Sequence, residues 1–134
     1  MKKLGKIFFL AVMGLIFNTA YANDGQLVFY CKTNTGKQIF LTKSDNYYTY
    51  SFGRNLKSPE IILRKALNEV EVEEHSAYGG VGGTWYTLKN GTYTYDISFG
   101  TSDDGRDFAG VSVYNKGNEI ADVKCNLNTL KLGY

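Results

Sequence analysis

The segment HSAYGGVGGTWY, residues 75–86, holds the only histidine and the only tryptophan of a 134-residue chain, with four glycines between them. A phosphate-binding loop needs a lysine and a hydroxyl residue directly after its last glycine, to reach the phosphates and to hold magnesium. Here Gly80-Val81-Gly82-Gly83-Thr84 runs into Trp85, with no lysine and no helix-forming segment behind it. The dinucleotide fingerprint fails as well, because it requires a βαβ frame. His75 beside Ser76 carries no catalytic information, since a triad is defined in space, and no G-x-S-x-G elbow is present. Carboxylate pairs for glycoside hydrolysis can be assembled from Glu60, Glu69 to Glu74 or Asp96, as in any acid-containing chain. One histidine is too few for a zinc site. Asp103, Asp104 and Asp107 lack the spacing of a calcium loop and read as turn formers. The expectation is a protein without cofactor or metal, and not an enzyme.

The side chains left over are those of a contact surface. Ten of the 11 tyrosines, five of the eight phenylalanines and Trp85 lie after residue 22. Tyr and Trp offer large contact area at low side-chain entropy cost and dominate binding hot spots. Glu69, Glu71 and Glu73 alternate with Val70 and Val72, so a strand would put the glutamates on one face. Such an acidic ladder can steer a cationic partner, or protect an edge strand from pairing. Glu71, Glu73, His75, Tyr78, Trp85 and Tyr86 are the candidate partner-binding residues, with one ring of the Trp85-Tyr86 pair facing in and the other out.

These residues must be positioned by strands. No sustained apolar repeat at helical spacing occurs beyond residue 22, and alternation dominates instead. Runs 27–31, 37–43, 47–54, 60–63, 69–73, 84–89, 92–99, 108–114 and 119–125 are separated by turn-forming residues, and Pro59 opens the fourth. Asn90-Gly91 reads as a type I′ hairpin turn. A short helix fits near residues 56–58 or 64–67, and the tail after Cys125 reads as a loose end. The expected fold is all-β: a single antiparallel meander of about eight strands, closed into a small barrel or a two-layer sandwich.

The N-terminus points to export. Lys2, Lys3 and Lys6 precede an apolar stretch from Ile7 to Phe17, and Ala20-Tyr21-Ala22 forms a cleavage site. Residues 1–22 therefore read as a bacterial secretory signal peptide and residues 23–134 as one domain, periplasmic or secreted, with no membrane anchor after cleavage. The whole chain has a net charge of +2, but three lysines and no acids lie in the signal segment. The remainder carries 12 basic and 13 acidic residues, which removes the case for nucleic-acid binding. In an oxidising compartment Cys31 and Cys125 pair by default. That bridge would tie the first strand to the last, worth roughly 4–5 kcal/mol by chain entropy.

The opening Phe29-Tyr30-Cys31 and the closing Val123-Lys124-Cys125, in an exported domain of this size, resemble the MliC/PliC lysozyme inhibitors of Gram-negative bacteria. The resemblance implies a small antiparallel barrel that blocks c-type lysozyme by inserting loop residues into its cleft. The family's S-G-x-x-Y motif is not reproduced: the nearest segment is Ser76-Ala77-Tyr78-Gly79, so no inhibitory residue is carried over. The same physical class includes periplasmic immunity proteins, which neutralise exported toxins such as type VI effectors by occluding the active site. That is the leading expectation, with a lysozyme inhibitor or a small-ligand or glycan-binding barrel as alternatives.

Overall fold

A computed structural model describes residues 25–76 and 81–133. Nine strands form, one for each run read from the sequence: β1 Gln26–Thr33, β2 Gln38–Lys43, β3 Tyr47–Gly53, β4 Ile61–Ala66, β5 Glu71–His75, β6 Gly82–Asn90, β7 Tyr93–Thr101, β8 Asp107–Asn115 and β9 Asn118–Leu132. They make one curled sheet in the order β4-β3-β2-β1-β9-β8-β7-β6-β5. Every neighbouring pair is antiparallel. The all-β expectation holds, with the barrel left half open: among the described residues β4 and β5 are the edge strands. Among the described residues no helix is long and apolar enough to cross a membrane.

The sheet curls because one face of every central strand is apolar. Phe29, Ile39, Leu41, Tyr50, Leu88, Ile97 and Val111 alternate with outward residues and are almost fully buried. Aromatic rings from the two halves meet across the interior: Phe29 with Phe99 at 6.1 Å, Tyr50 with Tyr95 at 5.5 Å, and Tyr48 with Tyr86 at 5.8 Å between centroids. Cys31 on β1 and Cys125 on β9 form the disulfide inside this core, with their Cα atoms 5.7 Å apart.

Three local features differ from expectation. The tail after Cys125 is not loose: β9 runs to Leu132 and pairs Leu132 with Phe29 and Lys131 with Tyr30, so it joins both halves of the sheet. Leu67–Glu69 form a single 3₁₀ turn, and β5 starts only at Glu71. At the β6–β7 hairpin the two loop residues are Gly91 and Thr92, and Gly91 alone has positive φ (63°). That fits a type II′ turn, which wants glycine at its first central position. The type I′ requirement is met at the β8–β9 hairpin, where Lys116 (φ 52°) and Gly117 (φ 83°) are both left-handed.

Candidate functional site

β5 and β6 pair in a register that fixes where each candidate residue points. Glu71 lies opposite Thr87, Val72 opposite Tyr86, Glu73 opposite Trp85, and His75 opposite Gly83. Residues directly opposite share a face. Glu71, Glu73, His75 and Trp85 are therefore together on the outer face, while Val72, Glu74 and Tyr86 face the interior. Tyr78 lies outside the described residues. The expectation of one ring in and one out at Trp85-Tyr86 is met, so the candidate residues do not make one surface.

The glutamate ladder is shorter than its sequence pattern. Glu69 belongs to the 3₁₀ turn, where its Oε1 accepts the Ala66 backbone N–H at 3.2 Å, and Val70 is buried in the core. What remains outside is Glu71, 3.9 Å from Lys89 Nζ, and Glu73, whose Oε2 lies 3.4 Å from His75 Nε2. Both pairs are exposed and contribute little to stability.

Trp85 is the centre of the outer face. Its ring packs edge-on against His75 at 5.4 Å and beside Phe108 of β8 at 5.9 Å. The row from His75 to Phe108 crosses Gly83 and Gly100, which pair directly. A Cβ on Gly100 would lie 2.7 Å from the Gly83 Cα and 2.9 Å from the Phe108 ring. The missing side chains leave a bare strip of sheet on which the rings lie, the arrangement in which an aromatic shields a strand glycine. Gly82 and Gly83 thus belong to a strand, and the glycine connection is shorter than the sequence suggests.

Sequence reasoning missed Phe108, which reaches Trp85 only through β7 between them. It also missed a shallow groove of about 440 Å³ beside Phe108, lined by Ser98, Gly110, Ser112, Asp122 and Lys124. The signal available was Gly110, a side-chain gap inside an alternating apolar strand. Tyr114 stands on the same outer face. Desolvation first, then Asp96 and Glu119, hold its phenol above its ordinary pKa. Asp104 and Asp107 serve local structure: Asp104 Oδ1 accepts the Arg106 N–H at 3.1 Å, and Asp107 Oδ1 accepts the Thr101 hydroxyl at 2.9 Å. Among the described residues no group of three His, Cys, Asp or Glu could hold a metal ion.

On the inner face Tyr86 closes the barrel mouth. An open cavity of about 610 Å³ there is lined by Lys43, Tyr48, Val72, Glu74 and Tyr86. Burial, then Tyr48, then Glu74 raise the Tyr86 phenol above its ordinary pKa. The Lys43 ammonium sits 5.7 Å from the centre of the Tyr48 ring.

Compared with family models, curated proteins and solved structures, the chain matches none.

Proposed function

We propose that this is an exported, non-catalytic inhibitor of another protein, most plainly a periplasmic immunity protein that neutralises an antibacterial toxin by occluding its active site. The observation that carries the reading is the outer row of His75, Trp85 and Phe108, flanked by Glu71 and Glu73. It is a preorganised aromatic surface outside the core, on the face where the acidic residues concentrate. Rigid aromatic rings supply contact area at small entropic cost, and the carboxylates suit a cationic rim around a cleft. The Cys31–Cys125 bridge suits an oxidising compartment.

The test is inhibition. The purified protein is titrated against c-type lysozyme and against the exported toxin encoded beside its gene, with residual activity as readout. Stoichiometric loss of activity of the toxin supports the immunity reading, and of lysozyme the MliC/PliC-like alternative. Full activity of both at excess inhibitor overturns the proposal. A second reading, small-ligand or glycan binding, rests on the mouth cavity, where two tyrosines, Lys43 and Glu74 converge. Quenching of tyrosine and tryptophan fluorescence by cell-wall fragments, lost in Tyr86→Ala and kept in Trp85→Ala, would favour it.

A further inference from the structure

The two edge strands of the described sheet, β4 and β5, carry opposite charge. Residues 25–66 hold seven Lys or Arg and two Asp or Glu, whereas residues 67–133 hold five and ten. The edges express that division: β4 carries Arg64 and Lys65, and β5 carries Glu71, Glu73 and Glu74. Arg64 also packs over the Tyr47 ring at 5.2 Å.

The chain cannot pair these edges with each other. All eight pairings in the nine-strand order are antiparallel, so β4 and β5 run in the same direction. Joining them would make a parallel pair, which needs a crossover of about a dozen residues or more. Only Leu67 to Val70 separate them, and the 3₁₀ turn shortens that link further.

A second copy is free of this constraint. We infer that the protein self-associates head to tail, the β5 edge of one molecule pairing in parallel with the β4 edge of the next. One register matches the three central neighbours, placing residues 62 to 66 of β4 beside 71 to 75 of β5. On the inner face Leu63 then meets Val72, which is 43% exposed in the single chain, and Lys65 meets Glu74. On the outer face Arg64 meets Glu73. Charged residues on an edge normally block pairing. Here each edge blocks only its own kind: β4 with β4 sets cations together, and β5 with β5 sets carboxylates together. The contact is heterologous, leaving a free edge at each end of a growing chain or closing as a ring. It does not depend on the partner-binding reading.

Sedimentation velocity tests it. The wild-type protein in low salt should show concentration-dependent oligomers that dissociate in high salt. Arg64→Glu/Lys65→Glu and Glu71→Lys/Glu73→Lys should each sediment as monomers, because each presents two edges of like sign. Mixed together they should associate, since each then supplies the edge the other lacks. A wild type that stays monomeric at millimolar concentration in low salt overturns the inference. So does association that persists in either variant alone, or a mixture of two folded variants that stays monomeric. The wild-type salt titration needs no substitution, so misfolding of a variant does not blunt the test.

Discussion

Trp85 and Tyr86 are chain neighbours on β6 with large aromatic side chains, and the sheet gives them opposite work. Tyr86 points in, where it meets Tyr48 and helps to close the mouth of the half-barrel. Trp85 points out, over a strip of paired glycines, and packs against the rings of His75 and Phe108. The inner face is continuous with a core tied by a disulfide. The outer face has rings but, among the described residues, no second layer above them. Aromatic content alone therefore says little about binding in a small β protein; the side of the sheet decides whether a ring holds the fold or is left for a partner.

The inner face should fail first when its covalent tie is removed. Cys31→Ser with Cys125→Ser opens a loop spanning a sequence separation of 94. Urea unfolding should show a loss of roughly 4–5 kcal/mol, as chain entropy assigns to so large a loop. Leu88→Ala, at a fully buried inner position, should cost about 2–5 kcal/mol by the same measurement. Neither change touches the outer surface, so the partner inhibition proposed above should survive wherever the protein remains folded.

Alkaline pH probes the same core without removing packing. Burial, with Tyr95 next to it, holds the Tyr50 phenol far above its ordinary value. The folded state thus keeps a proton that the unfolded chain gives up near pH 10. The corresponding stability is complete below about pH 10 and is lost as pH rises from there toward the folded pKa. Melting temperature should fall above about pH 10, and fall less steeply in Tyr50→Phe. Equal slopes in the two proteins would show that Tyr50 does not carry the effect.

Much of this arrangement was legible as alternation. The inward positions Ile39 and Leu41, the hairpins at Gly91 and Gly117, and the pairing of the cysteines all follow from local pattern and compartment. The missed elements depend on partners distant in the chain. Leu130 and Leu132 read as a tail because the strand that orders them is β1, at the other end of the sequence. Glu69 continues the ladder in the sequence, yet the Ala66 N–H draws it into a turn. Phe108 joins the outer row only because Gly83 and Gly100 pair in the intervening strands. The edges of opposite charge were equally hidden, since the sequence sets β4 and β5 almost next to each other while the sheet sets them at its two extremes.

The difference between the two faces is tested most directly by Trp85→Ala with two readouts on one preparation. Stability should fall by only roughly 1 kcal/mol, the scale of a cross-strand contact, while inhibition of the partner enzyme is lost. Unchanged inhibition, or a stability loss as large as that of Leu88→Ala, would contradict the assignment of the outer row to binding.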